Sequence, residues 1–327
     1  MPANLTPQYH SAEKRYREAK EVDEKIAALQ EMMAVMPRHK GTDHLYAGLR
    51  GKIAKLGQES ERKLATARRA GFFIRSEGAG QVVLVGPANV GKSQVLAMLS
   101  SADPEVAMYP YTTRTLLPGM MAFENIQIQL VDTPPLGHRD VRILLSSVLH
   151  EADVIAIVID LGNDPISQLD WTMAQLEECR VVPNWWSPQI EGEAVMYRKK
   201  MLVIGNKLDL PGARENLRIL ERKCSAQIPV GSVSATEGDQ LESLPLVVYQ
   251  AMEIIRVHTK APGQKPDRSD PVILRKGSNV GEAATAIHKD IRKGLRYAVV
   301  WGSGKFEAQT VSKEHILQDG DIVEFHL

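Results

Sequence analysis

Gly86-Pro87-Ala88-Asn89-Val90-Gly91-Lys92-Ser93 reads G-x-x-x-x-G-K-S, and the residues on either side decide the fold. Before it stands the apolar run Gln81-Val82-Val83-Leu84-Val85. After it Val95-Leu96-Ala97-Met98-Leu99, free of glycine and proline, continues as a helix. Strand, glycine-rich loop and helix in that order are what a phosphate-binding P-loop requires. The glycines let backbone N–H groups curl around phosphate oxygens, and the helix N-terminus adds a favourable partial charge. In such a loop Lys92 reaches the β- and γ-phosphates and the Ser93 hydroxyl ligates Mg²⁺. The phosphate-binding set expected here is Gly86, Asn89, Val90, Gly91, Lys92, Ser93 and Gln94.

Working outward, Tyr109-Pro110-Tyr111-Thr112-Thr113-Arg114-Thr115 lies in a turn-rich stretch ending at Pro118-Gly119. A threonine from such a loop, here Thr113, completes the Mg²⁺ shell when a γ-phosphate is present. The alternating run Ile126-Gln127-Ile128-Gln129-Leu130-Val131 predicts a strand whose end places Asp132 to hold the metal through water. The pattern expected from there is D-x-x-G, but the chain has Pro135 in place of the glycine. That glycine gives its N–H to the γ-phosphate, and proline has none to give. Losing one preorganised donor typically costs on the order of 10²–10³ in rate.

Val154 to Asp160 is continuously apolar up to its final residue, as expected of a strand buried on both faces of a parallel sheet. Met201-Leu202-Val203-Ile204-Gly205 is another, and it delivers Asn206-Lys207-Leu208-Asp209. N-K-x-D reads guanine: the Asp209 carboxylate accepts from N1–H and the exocyclic amine, a donor pair that adenine lacks. Lys207 covers one face of the base and Asn206 ties the loop to the P-loop. Ile228 to Val233 leads into Ser234-Ala235, the final guanine-contacting turn. Each element alone is weak, but five in this order, each after a strand, specify a guanine-nucleotide site.

The 327 residues suffice for two or three domains with separate cores. A composition 43% hydrophobic and 24% charged is that of an ordinary globular protein. No run approaches the roughly 18 apolar residues of a membrane span, and the polar N-terminus lacks a signal-peptide core, so a cytoplasmic protein is expected. Two cysteines, Cys179 and Cys224, form neither a metal-ligand pattern nor a disulfide framework. The zero net charge is uneven: residues 1–80 carry 15 Lys/Arg against 10 Asp/Glu, residues 81–268 carry 17 against 22, and residues 269–327 carry 8 of each. A basic arm beside an acidic nucleotide domain suits an anionic partner, and equally a solvated helix face.

Within that arm, Val22, Ile26, Leu29 and Met33 predict a helix from about Gln8 to Met36, ended by Pro37. Leu45, Leu49, Ile53 and Leu56 predict a second, antiparallel one. This hairpin is read either as an RNA- or ribosome-facing arm or as a packing support for the nucleotide domain. Gly71 to Gly80 links it to the P-loop strand. Trp185-Trp186 lies in a loop read either as packing on its own domain or as a partner-binding patch. At the other end, Val272 to Leu274, Tyr297 to Trp301 and Ile322 to Phe325 read as strands, with a helix over Ala283 to Arg292 and a Pro/Gly-rich hinge over Pro262 to Asp270. Arg275, Lys276, Lys289, Arg292, Lys293, Arg296 and Lys305 make an RNA-contacting face or a solvated one.

With these residues in view, the chain resembles the developmentally regulated GTP-binding proteins of the Obg-HflX group of translation-associated GTPases. The resemblance rests on the P-loop, Tyr109 to Thr115, Asn206 to Asp209, and a C-terminal segment that includes Asp270-Pro-Val-Ile-Leu-Arg-Lys-Gly277 and Tyr297 to Ser303. It implies an α/β fold: a P-loop GTPase domain with a mostly parallel sheet flanked by helices, an N-terminal helical hairpin, and a C-terminal ubiquitin-like β-grasp TGS domain. The expected boundaries are 1–79 for the hairpin, 80–261 for the GTPase domain, 262–270 for a linker and 271–327 for the TGS domain. Two departures stand out. The family usually carries an inserted subdomain between the magnesium aspartate and N-K-x-D, and only the short Trp185-Trp186 region occupies that interval here. The other departure is Pro135.

Leu136 stands where Ras-like GTPases place a catalytic glutamine, so water must be oriented otherwise. Asn89 occupies the position that helps hold a monovalent cation in potassium-activated relatives. The resemblance implies binding of GTP and GDP and slow, Mg²⁺-dependent, potassium-assisted hydrolysis through Lys92, Thr113 and Asn89, with Ser93, Thr113 and Asp132 toward the metal. It also implies a ribosome or RNA partner through the TGS domain and the basic hairpin, with an accessory protein left open and no membrane. Two readings compete: a guanine-nucleotide scaffold that hydrolyses little because of Pro135, and a TGS-and-hairpin binder in which GTP is structural.

Overall fold

In a computed structural model of the chain, the described residues are 7–19, 22–36, 42–70, 74–100, 116–137, 139–185, 195–224, 227–236, 242–304 and 306–327. They divide into two units, Met1–Gly71 and Phe72–Leu327.

The first unit holds α1 (Pro7–Glu18), α2 (Val22–Val35) and α3 (Asp43–Ala70). The single helix expected from about Gln8 to Met36 is therefore two. In one straight helix Tyr9 and Leu29 would lie about 30 Å apart and touch nothing in common. Split, they share a core with Ala12, Met32, Met36 and Leu49, and Arg15 reaches Glu31 at 2.8 Å. On α3 the buried stripe starts at Tyr46 rather than Leu45, which is exposed. The basic run of α3 beyond Gly57 lies outside the described side chains.

The second unit opens with β1 (Gln81–Val85), α4 (Lys92–Leu99), β2 (Leu117–Phe123) and β3 (Ile126–Asp132). It continues through α5 (Arg139–Glu151), β4 (Val154–Asp160), α6 (Pro165–Glu178), β5 (Val181–Pro183), β6 (Tyr197–Asn206), α7 (Ala213–Cys224), β7 (Val230–Ser232) and α8 (Leu244–Met252). The strands form one seven-stranded sheet in the order β2-β3-β1-β4-β6-β5, with β7 also on β6. All pairs are parallel except β2–β3. β2 runs through Pro118-Gly119, read from sequence as turn; it is an edge strand, where a missing N–H is tolerated. Both sheet faces are packed, one core around Val83, Leu145, Ile157 and Val203, the other around Leu84, Leu96, Leu130 and Val248. β4 is buried at every position, which explains its unbroken apolar run. The hairpin boundary at residue 79 falls too late: Gly78 already bridges Ile128, and the Ala79 N–H donates to Gln127 O at 2.7 Å.

The rest of this unit is β8 (Ile254–Thr259), β9 (Asp267–Arg275), α9 (Val280–Ile287), α10 (Lys289–Gly294), β10 (Tyr297–Trp301), β11 (Gln309–Val311) and β12 (Ile322–His326). They make a second sheet in the order β11-β10-β12-β8-β9, with α9 over its core of Ile255, Val257, Val280, Ala283 and Val300. The linker expected at 262–270 is not one. β8 and β9 pair antiparallel from Ile254↔Arg275 to Thr259↔Asp267, so Pro262-Gly263 turns a hairpin and the second sheet begins at Ile254, not at 271. Burial of Ile255 and Val257 commits β8 to this sheet. The helix expected over Ala283 to Arg292 breaks at His288, whose extended backbone ends α9 and caps α10.

Candidate guanine-nucleotide site

β1, β3, β4 and β6 are parallel, so their C-terminal ends open on one edge of the sheet, where ligands of open α/β folds bind. The loop after β1 runs from Gly86 to Gly91, and α4 begins at Lys92. Asn89 is exposed and left-handed at φ 64°, while Val90 is buried and anchors the loop in the core. Gly91 sits at φ 91°, and a Cβ there would lie 2.2 Å from Asn206 Nδ2, so the close approach of two loops requires glycine. Lys92 is buried, its ammonium donating to Gly86 O at 3.2 Å and Pro87 O at 2.8 Å. Burial lowers its pKa, an effect that nearby Asp132 partly opposes. Gln94 is exposed on the first turn of α4, with its Oε1 close to Gly91.

Ser93 Oγ donates to Asp132 Oδ2 at 2.5 Å. Asp132 is 6% exposed and its Oδ1 has no hydrogen-bond partner. Burial pushes this carboxyl above the ordinary range, against the Ser93 hydroxyl, the Lys92 charge and the Thr133 N–H. A buried, orphaned carboxylate oxygen beside a hydroxyl is a donor set that suits a hard, oxygen-seeking cation such as Mg²⁺. Thr113, the third expected ligand, lies outside the described residues.

The base-reading residues come together around Asn206. Its Nδ2 donates to Val90 O at 2.9 Å, and its Oδ1 accepts from the Ala235 N–H at 3.1 Å. One buried amide thus joins the P-loop, the loop after β6 and the turn after β7. Ser234, fully buried, donates from Oγ to Asp209 Oδ1 at 2.5 Å, which fixes an otherwise exposed carboxylate. Lys207 stands at φ 64° and its Nζ meets Asp160 Oδ2 at 2.7 Å. Burial raises the Asp160 pKa, but bonds from Lys207, the Gly162 N–H and Asn163 outweigh it and hold the carboxyl below its usual range.

Three features escaped the sequence reading. Asp160 was read only as a strand end, though an acid closing a fully buried strand beside the N-K-x-D strand was a usable signal. Thr133 Oγ1 donates to Leu84 O at 2.7 Å, stitching the loop after β3 to β1. Leu136, at the position of the Ras-like glutamine, is fully buried in the core with Val141 and Leu145, and the third feature holds it there. Arg142 on α5 donates to Leu136 O at 3.2 Å, Gly137 O at 3.4 Å and Gln175 Oε1 at 2.6 Å, and pairs with Glu178. Cys179 and Cys224 are free and buried, and burial pushes both thiols up to about 11.

Residues 81–185 match the family of 50S ribosome-binding GTPases, and residues 255–327 match the TGS domain. An uncharacterized GTP-binding protein of Methanocaldococcus jannaschii is 27% identical, covering 92% of each chain. Developmentally-regulated GTP-binding protein 2 of Homo sapiens is 24% identical over 92% of this chain and 98% of its own. Ribosome-interacting GTPase 1 of Saccharomyces cerevisiae is 27% identical over 92% and 97%. The alignment with the M. jannaschii protein spans 365 positions, more than the 327 residues here, so that relative holds residues without a counterpart in this chain. Among the described residues no helix is long and apolar enough to cross a membrane.

Proposed function

From a chain related over 92% of its length to the developmentally regulated GTP-binding proteins, we propose a cytoplasmic, Mg²⁺-dependent GTPase that acts as a ribosome- or RNA-associated switch. The observation that carries this reading is the Asn206 amide, bonded at once to Val90 O and the Ala235 N–H. It sets a base-reading loop at a fixed distance from a phosphate-binding one. Asp209, held by Ser234, accepts from the guanine edge. The P-loop N–H groups take the phosphate oxygens, and Lys92 exchanges its two carbonyl acceptors for the β- and γ-phosphates. Ser93 and Thr113, with Asp132 through water, would hold Mg²⁺, which would neutralise charge on the phosphate oxygens. A water attacks the γ-phosphorus, the bond to the bridging β–γ oxygen breaks, and GDP and phosphate leave. Catalysis is by positioning and electrostatics, and Asn89 is the residue toward a potassium ion. The TGS domain and the basic N-terminal helices are the surfaces toward RNA or ribosome.

A second reading, a guanine-nucleotide scaffold with little hydrolysis, is favoured by the loop after β3. Pro135 offers no N–H, Leu136 is buried, and Arg142 holds two of the loop's carbonyls. Phosphate release with Mg²⁺ separates the two. The GTPase reading expects release from GTP over ATP, faster in potassium than in sodium. GDP binding without phosphate release, restored by Pro135→Gly, selects the scaffold, and equal rates in both salts remove Asn89 from catalysis.

A further inference from the structure

Nothing in the N-K-x-D pattern requires an acid at the end of β4, yet Asp160 is 7% exposed and fully engaged. Its Oδ2 accepts from Lys207 Nζ at 2.7 Å and Asn163 Nδ2 at 2.9 Å, and its Oδ1 from the Gly162 N–H at 2.8 Å. Its own N–H donates to Gln168 Oε1 at 2.9 Å. In the sheet Asp160 pairs with Asn206, the residue before Lys207.

The turn that follows cradles the base-reading loop. Leu161 N–H donates to Asn206 O at 2.9 Å, and Asn216 Nδ2 donates to Leu161 O at 2.8 Å. Gly162 lies so close that an added Cβ would fall 2.5 Å from Leu210. Lys207 itself is left-handed, a backbone position unusual for a long side chain. Pinned at its ammonium and at its backbone, the lysine stem between them is a fixed apolar strip rather than a freely rotating chain. Ordering that stem in advance removes an entropy cost from binding.

We propose that Asp160 is a positioning residue for nucleotide binding, holding Lys207 so that its stem lies along one face of the bound purine. The inference rests on the guanine-binding reading of residues 206–209. A face contact reads no edge of the base, so it strengthens guanine and hypoxanthine nucleotides alike, whereas Asp209 discriminates between them through the 2-amino group.

Dissociation of fluorescently labelled GDP and IDP from the full chain, with Mg²⁺ present, tests it. Asp160→Asn keeps an acceptor for the Gly162 N–H and removes the charge, and Asp160→Ser is a second variant of the same design. Either is expected to release GDP about tenfold faster, the equivalent of one charged hydrogen bond, and IDP by the same factor. On a Lys207→Met background the change at Asp160 should add nothing. Rates equal to the native chain overturn the proposal. So does an undiminished effect on the Lys207→Met background, which assigns Asp160 to turn capping, or a shrunken preference for GDP over IDP, which assigns it to the Asp209 loop. Should the native chain bind GDP and IDP equally, with Asp209→Ala without effect, the guanine reading falls and this inference with it.

Discussion

Asp132 carries a carboxylate into a space from which most water is excluded, and its Oδ1 meets no donor there. Burial raises its pKa despite Ser93, Lys92 and the Thr133 N–H. For an acid with a raised folded pKa the linkage sign is unfavourable to the charged form. The folded state binds the proton more tightly than the unfolded one, so the destabilisation is full above the raised pKa. It shrinks as pH falls through that value and vanishes below the ordinary aspartate range near about pH 4. Asp132→Asn should therefore raise the melting temperature of the nucleotide-free protein at neutral pH. The gain should disappear in acid, and Mg²⁺ should no longer tighten GDP binding. Calorimetric melts at several pH values, with and without Mg²⁺-GDP, check both halves. A lower melting temperature at neutral pH would mean that Asp132 is satisfied as an ion, and that its orphaned oxygen is no mark of a cation site.

At the scale of elements, α5 and the loop it follows work as one piece. Arg142 is largely buried and reaches back to the carbonyls of Leu136 and Gly137 while also engaging Gln175 and Glu178 of α6. Arg142→Ala leaves those acceptors without their charged donor, at a cost of about 1–3 kcal/mol. Amide exchange should quicken at residues 136–141 while β4 and β6 stay protected; unchanged exchange there would show that the buried Leu136 alone anchors the loop. This pinning was not legible beforehand, because no local pattern tells a loop leucine in solvent from one in the core. The P-loop, β3, β4 and β6 were legible for the opposite reason. Their period-2 or unbroken apolar runs end directly on residues whose chemistry is specific. β8 and β9 misled the reading because Pro262, Gly263 and Pro266 look like a hinge, whereas they turn a hairpin between two adjacent paired strands. The split between α1 and α2 likewise follows from Tyr9 meeting Leu29 in one core, a contact that a helical repeat does not encode.

Across the second unit as a whole, the GTPase sheet and the TGS sheet meet at Arg256 of β8. Its guanidinium binds Asp319 through Nε at 3.1 Å and NH2 at 2.7 Å, donates to Asn125 Oδ1 at 3.2 Å, and pairs with Glu124. It lies 5.6 Å from the Phe123 ring centre and 5.1 Å from that of Tyr249, two rings stacked on each other at 4.6 Å. Tyr249 of α8 also donates to Asp319 Oδ1 at 2.6 Å. One side chain therefore joins the β2–β3 turn, the last helix of the GTPase domain and the segment entering β12. Burial raises the Asp319 pKa, but the bonds from Arg256 and Tyr249 prevail and keep it below the usual range. Its stabilising share is present above the ordinary aspartate pKa and is lost as pH falls through the depressed one. Removing Arg256 leaves Asp319 and Asn125 without their charged donor, at about 1–3 kcal/mol. Arg256→Ala should thus split a single unfolding transition into two, with residues 254–327 losing amide protection at lower denaturant than residues 81–252. If both regions still unfold together, the sheets are held by apolar packing such as Ile273 against the GTPase core, and a signal passing between nucleotide and TGS domain need not run through this arginine.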